Sequence, residues 1–177
     1  MSGLKAIYVV GPSSTGKTTL CDALVVARTV MKEQGFTRAD VDSLAMQHAI
    51  VKAQASRDRE TRDQKAWAED GVGTHSTLLS DRSAVDAVVY AALSELVVKS
   101  GNTQTLISSP EFQAILPFYR SPKSKFVLLR PIQAWIVDDG VRSLKDGEHY
   151  YDMFIELGED CRWLEERIAI VTRAIYI

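Results

Sequence analysis

Histidine, cysteine and runs of like charge are scarce in this sequence, and each scarcity removes a class of function. The three histidines, His48, His75 and His149, are scattered and form no ligand set. The two cysteines, Cys21 and Cys161, lie far apart with no metal-ligand spacing, so both are read as inert buried thiols. No long basic run appears and the formal net charge is -2, which excludes the electrostatic footprint of a nucleic-acid binder. No apolar window is fit to span a bilayer: the greasiest, "AVDAVVYAALSELVV", carries Asp86 and Glu95 and is too short. The apolar run before Gly11 is too short for a signal peptide, and Ser2 does not indicate myristoylation. A cytoplasmic protein with no nucleic-acid partner and no membrane span is expected. What remains is ordinary for a globular chain: 177 residues, 46% hydrophobic and 25% charged. That length suits a single domain over residues 1–177, able to bury a core without disulfides.

The order of apolar patterns predicts the fold class. Ala6 to Val10 is a β-branched-rich run ending at Gly-Pro, the mark of a buried parallel strand. From Thr18 a helix is predicted, with Leu20, Ala23, Leu24, Ala27, Val30 and Met31 on one face and Gly35 as its stop. A second helix is predicted from about Ser43 to Glu69, its middle "RDRETRDQK" reading as a solvated face of alternating charge. "STLLSD" is a short strand. Ser83 to Ser100 is then a helix with Val85, Val88, Val89, Ala92, Leu93 and Leu96 inward, closed by Gly101. Pro110 opens a short helix to about Tyr119, and "KFVLLRP" is a further strand. Residues 131–147 read as an active-site loop, followed by a helix near 150–167 and the β-rich run "IAIVTRAIYI". That run either completes the sheet or comes from a truncated or misread frame. Strands alternating with helices predict a three-layer α/β/α fold around a parallel sheet.

The stretch "GPSSTGKT" carries the chemistry. Gly11, Gly16, Lys17 and Thr18 satisfy the Walker A pattern, with a strand before and a helix after. Backbone N–H groups of such a loop curl around phosphates, and glycine lets the chain approach closely. The following helix points its positive end at the anion. Gly11, Ser13, Ser14, Thr15, Gly16, Lys17, Thr18 and Thr19 are therefore the expected cradle for ATP. Lys17 sets its charge on the outer phosphates, and the Thr18 hydroxyl is the expected ligand for Mg²⁺.

Asp81 and Arg82 follow "LLS" directly. A carboxylate at the carboxyl end of a parallel strand lies in the crevice where such sheets bind ligands. Asp81 there serves Mg²⁺ or accepts a proton from an attacking hydroxyl, and Arg82 clamps a polar or anionic acceptor. The plain alternative is that Asp81 or Ser83 only caps the next helix. Asp86 and Tyr90, one turn apart, are candidate borders of the acceptor pocket. In the loop "PIQAWIVDDGVRSLKDG", Arg142 is the candidate for neutralising transition-state charge, oriented by Asp138 or Asp139, and the loop itself is a lid that excludes water.

Taken together, "GPSSTGKTTL", "VARTVMKEQGFT", the Gln47…Gln54 helix, "SDRSAVDAVVYA" and "WIVDDGVR" resemble the P-loop domain of NadR-type nicotinamide riboside kinases and their eukaryotic relatives of unassigned substrate. The resemblance covers residues 6 to about 146. It implies a P-loop NTPase fold with a kinase-like lid at about 131–147, catalytic roles for Lys17, Asp81, Arg82 and Arg142, and substrate contacts from Asp86, Tyr90, Trp135, Asp138 and Asp139. It also implies an ATP- and Mg²⁺-dependent kinase whose partner is a small hydroxyl-bearing acceptor such as a nucleoside. The sequence departs from the family in two places. "TTLCDAL" runs straight into "VVARTV", with Val26 where an acidic residue is expected, so one edge strand is expected to be missing. From Met153 onward the match fades. The shortened acceptor side keeps a second reading open: a regulator that binds ATP or GTP and has little or no kinase activity.

Overall fold

The computed structural model describes residues 5–12, 26–68, 77–96, 99–129, 149, 152–153 and 168–171. Four strands make one parallel sheet: β1 (Lys5–Val10), β2 (Thr77–Asp81), β3 (Ser124–Leu129) and β4 (Ile168–Val171), in the order β2-β1-β3-β4. The apolar runs at the two ends and in the middle of the chain thus form neighbouring strands, and the closing run adds to β3 with Phe126 opposite Ile168. Parallel pairing requires crossovers, and among the described residues helices lie between β1 and β2 and between β2 and β3. These are α1 (Val26–Gln34), α2 (Leu44–Ala68), α3 (Ala84–Glu95), α4 (Asn102–Ile107) and α5 (Pro110–Tyr119).

One face of the sheet shows how the core is built. Alternation along β1 turns Ala6, Tyr8 and Val10 the same way, and all are fully buried. In the β1–β3 register Tyr8 lies opposite Phe126, and the two rings stack at 5.1 Å between centroids. Tyr119, at the end of α5, meets both edge-on, at 5.0 Å and 5.6 Å. Such pairs add about 0.5–1.5 kcal/mol each beyond their burial. α2 crosses this layer and contacts α1, α3, α4 and α5. α3 is buried nearly all round, from Ala84 through Ala91, as its apolar sequence requires.

Helix ends follow local chemistry. The Ser43 hydroxyl accepts from the Met46 N–H at the start of α2. Ser109 caps α5 by accepting from the Phe112 N–H, with Pro110 in the first turn. Gly35 follows α1 with φ 73°, a left-handed conformation that glycine adopts without cost.

Three expectations need correction. The helix predicted to run to Ser100 stops at Glu95, and Leu96, expected inward, is 62% exposed. The Glu95 carboxylate instead accepts from the Thr103 N–H and the Ser100 hydroxyl, tying it to α4, a helix the sequence pattern did not reveal. The charged middle of α2 is not wholly solvated, because Asp58 is 1% exposed. The Walker residues 13–19, the first part of the helix predicted from Thr18, both cysteines, the loop 131–147 and nearly all of the helix near 150–167 lie outside the described residues.

Removing the ring at the centre of the aromatic layer leaves a cavity that strands on both sides cannot close. Phe126→Ala is expected to lower the unfolding free energy by about 3–5 kcal/mol in urea titrations. Leu79→Thr, at a β2 position that is 43% exposed, is expected to change it by less than about 0.5 kcal/mol.

Candidate active site

The site is assembled where β1 and β2 end side by side. Their register sets Val9 opposite Asp81, so both strands run out at one level. The Arg82 N–H donates to the Val9 carbonyl at 2.9 Å, continuing the ladder one residue beyond β2. At the end of β1, Gly11 has φ 146°, a conformation that residues with a side chain avoid. A glycine is thus required where the chain leaves the sheet and enters the Walker segment.

Asp81 is the last residue of β2 and is 2% exposed. Arg82 has φ 75°, which for a residue with a Cβ costs about 1–2 kcal/mol. The cost is offset on both sides of the residue. Its N–H is held by Val9, and its carbonyl accepts from the Ser80 hydroxyl at 3.0 Å and from the Gln54 amide at 3.4 Å. At about 1 kcal/mol net each, these bonds outweigh the strain. The Arg82 side chain then reaches across to β1: Nη1 donates to the Gly11 carbonyl at 3.4 Å and to Asp86 Oδ1 at 3.3 Å. The guanidinium lies 5.7 Å from the centre of the Tyr90 ring.

Asp86 has a more immediate task than bordering a pocket. It is 2% exposed, and its Oδ2 accepts from both the Ser83 N–H, at 2.8 Å, and the Ser83 hydroxyl, at 3.1 Å. This capping arrangement starts α3 and leaves Oδ1 to the guanidinium. Tyr90, 7% exposed, supplies the apolar floor beneath it. Both residues act on Arg82. Ser83, rather than Asp81, is the N-cap, so the carboxylate of Asp81 is not used to start the helix.

Behind the Arg82 turn lies a buried polar cluster that sequence reasoning missed. Gln54 donates to Asp58 Oδ1 at 3.1 Å and to the Ser80 hydroxyl at 3.2 Å. The Tyr119 hydroxyl donates to Asp58 Oδ2 at 2.8 Å and accepts from the Ala84 N–H at 2.9 Å. Arg62 closes the outer side, its Nε donating to the Asp58 carbonyl and its guanidinium lying 4.3 Å over the Phe118 ring. The signal was present in the helical spacing: Gln47, Val51, Gln54 and Asp58 extend one buried stripe along α2.

Burial pushes the Asp58 carboxyl up from 3.8 to about 6, against the hydrogen bonds from Tyr119 and Gln54 and the charges of Arg62 and Arg57. The phenols of Tyr8 and Tyr119 are also raised, first by burial and then by the nearby Asp58 charge.

Of the residues predicted to carry the chemistry, the structure brings Gly11, Asp81, Arg82, Asp86 and Tyr90 together at the ends of β1 and β2. Ser13, Ser14, Thr15, Gly16, Lys17, Thr18, Thr19, Trp135, Asp138, Asp139 and Arg142 lie outside the described residues. No cluster of three or more potential metal ligands occurs among the described residues. A nucleotide with its magnesium fits what is described. The strand exit demands glycine at position 11, and a carboxylate stands at the adjacent strand end.

Comparison with known proteins agrees with this architecture. A family model described as AAA domain matches residues 6–171. Among solved structures, one of NadR protein in complex with NR superposes with a TM-score of 0.65 at 16% identity, covering 94% of this chain and 43% of that one. Another, of NadR protein in complex with NAD and AMP-PNP, gives a TM-score of 0.56 at 15% identity, covering 98% of this chain and 45% of that one. The chain thus spans less than half the length of either structure. At these identities the likeness is one of fold. No curated protein matches the sequence.

Because the folded chain binds the Asp58 proton more tightly than the unfolded chain, that proton's contribution to stability is complete below pH 3.8 and lost as pH rises through about 6. Asp58→Asn removes this dependence. The wild-type minus variant difference in unfolding free energy is expected to fall by on the order of 3 kcal/mol between about pH 4 and pH 7 in chemical denaturation.

Proposed function

Because the chain belongs to the AAA domain family, whose model spans residues 6–171, we propose that it is an ATP-dependent kinase of a small hydroxyl-bearing acceptor of the nicotinamide riboside kind. The observation that carries this reading is the juxtaposition of Gly11 with Asp81 and Arg82 across the β1–β2 ladder. A nucleotide cradle begins at one strand end, and a carboxylate and a guanidinium stand at the next. ATP supplies the phosphoryl group, and Mg²⁺ supplies charge neutralisation, when both are bound.

The roles of the chain's own groups follow. Backbone amides from Ser13 to Thr19 and the Lys17 ammonium would hold the phosphates, and Thr18 and Asp81 would hold the metal. Asp81 would orient the acceptor hydroxyl and take its proton as that oxygen bonds the γ-phosphorus and the bond from the γ-phosphorus to the bridging oxygen breaks, with ADP as the leaving group. Arg82, backed by Asp86 and Tyr90, clamps the acceptor. Arg142 neutralises charge on the migrating group, and Trp135, Asp138 and Asp139 complete the acceptor side as the 131–147 lid excludes water. Most of the rate effect under this reading is positioning and charge stabilisation.

One observation favours a second reading. Among the described residues β2 has no strand on its outer side, and its Leu79 is 43% exposed. A site lacking an outer wall binds nucleotide and selects acceptors poorly, as a nucleotide-binding regulator for ATP or GTP would.

A nucleoside panel with Mg-ATP separates the two. The kinase reading expects a phosphorylated product from nicotinamide riboside or a related nucleoside by mass spectrometry. Lys17→Ala is expected to abolish product together with nucleotide binding. Asp81→Asn is expected to retain nucleotide binding within a few-fold while kcat falls by about 10²–10⁴. Nucleotide binding with no acceptor gaining mass would favour the regulator.

A further inference from the structure

The turn that presents Arg82 is held from behind by a single buried carboxylate acting in two directions. Toward one end, Asp58 Oδ1 accepts from Gln54, whose amide also reaches the Ser80 hydroxyl and the Arg82 carbonyl. Toward the other, Asp58 Oδ2 accepts from the Tyr119 hydroxyl, which itself accepts from the Ala84 N–H. Both ends of the three-residue turn Arg82–Ala84 are therefore tied to one side chain on α2. The first residue of that turn, Arg82, has φ 75° and is the only non-glycine with positive φ among the described residues.

These groups gather on the face of the sheet that Ser80 shares with Tyr8, opposite the face of Val9 and Asp81, and so lie behind the residues proposed to meet a substrate. Gln54, Asp58 and Ser80 are 1%, 1% and 2% exposed, and Tyr119 is fully buried. A core with this shape is filled at least as stably by apolar side chains, because a buried carboxylate loses hydration that hydrogen bonds only partly replace. Four polar groups converging on one strained turn are better explained by what they hold in place.

We propose that Asp58, Gln54, Ser80 and Tyr119 are positioning residues that keep the Arg82–Ala84 turn in its left-handed form and thereby aim the Arg82 guanidinium at the phosphoryl acceptor. The geometry separates the aim of Arg82 from its chemistry: Asp86 and Tyr90 fix the side chain from the front, and the Asp58 cluster fixes the backbone that carries it. Loss of a back tie lets position 82 relax toward negative φ, which swings the side chain away from Gly11. Nucleotide affinity is expected to stay largely unchanged, because Gly11 keeps its place at the end of β1, a strand paired on both edges.

The test uses the full chain carrying Tyr119→Phe, which removes one hydroxyl, and separately Gln54→Met, which removes the amide at similar volume. Two quantities are read: amide hydrogen exchange along the chain by NMR, and steady-state kinetics with Mg-ATP and nicotinamide riboside. The proposal expects exchange of the Arg82–Ala84 amides to rise by about tenfold or more while the amides of β1 and β3 stay protected. It expects kcat/KM for the riboside to fall by about tenfold while the dissociation constant for ATP stays within about twofold. Unchanged exchange at the turn in both variants overturns it, as does a uniform rise across the sheet or a parallel loss of ATP affinity. Localised loosening with unaltered riboside kinetics also overturns it, because the turn would then not aim Arg82. The kinetic measurement rests on the kinase reading above. If the wild-type chain phosphorylates no riboside, that reading fails, and the exchange measurement still decides whether the cluster holds the turn.

Discussion

Parallel pairing of β1 with β2 is the constraint from which the site follows. With Val9 opposite Asp81, the glycine that begins the phosphate segment and the carboxylate and guanidinium that follow β2 arrive at one end of the sheet. A slip of one residue would exchange the faces of Ser80 and Asp81. Ser80 would then lose Gln54, and Asp81 would turn into the layer occupied by the Tyr8, Tyr119 and Phe126 rings. Both consequences are costly, so packing on one face of the sheet and polar satisfaction behind it fix the same register. The placement of Asp81 at the strand end is in this sense a by-product of where a serine and three aromatic rings must go.

The energetics behind the turn trade one kind of stability for another. Withdrawing the Asp58 carboxyl from water is unfavourable, and its raised pKa records that cost. Tyr119 and Gln54 recover part of it, and each also bonds the backbone of the turn, Tyr119 at the Ala84 N–H and Gln54 at the Arg82 carbonyl. Arg62 adds its charge nearby while packing its own guanidinium against Phe118, so the positive group is partly supported by an aromatic face instead of by a buried ion pair. An apolar plug here would strengthen the fold and release the turn. The polar cluster favours a single geometry over maximum stability.

Much of the fold was legible because it is written locally. The β-branched run before Gly11, the run ending at Asp81 and the run from Ser124 each became a strand, and Pro110 opened a helix as its missing N–H allows. Asp81 and Arg82 could be singled out because they sit beside one another at a strand end. Gln54, Asp58, Ser80 and Tyr119 were not, because their contacts join residues 26, 28 and 61 positions apart. Reading "RDRETRDQK" by its alternating charge hid Asp58, which the helical period places on the buried stripe. Likewise the extent of α3 was overestimated because Leu96 continues the apolar spacing. The Glu95 side chain ends that pattern by bonding forward to α4, a long-range choice that no window of apolar residues reports.

The arrangement also divides the molecule into two supports of different origin. The nucleotide side depends on β1, a central strand paired on both edges, and on the glycine at its end. The Arg82 side depends on β2, the outer strand among the described residues, and on a turn bonded to side chains of α2 and α5. Among the described contacts, the side-chain bond between the two is the one from Arg82 Nη1 to the Gly11 carbonyl. Such a layout lets the outer side be shortened or rebuilt without disturbing a strand that is hydrogen-bonded on both edges. Any rebuilding that keeps the left-handed Arg82 has to keep the bonds to its turn, because among the described residues β2 pairs with β1 and no other strand. Under the proposed role of Arg82, the buried cluster is what lets an outer strand carry a residue whose direction matters.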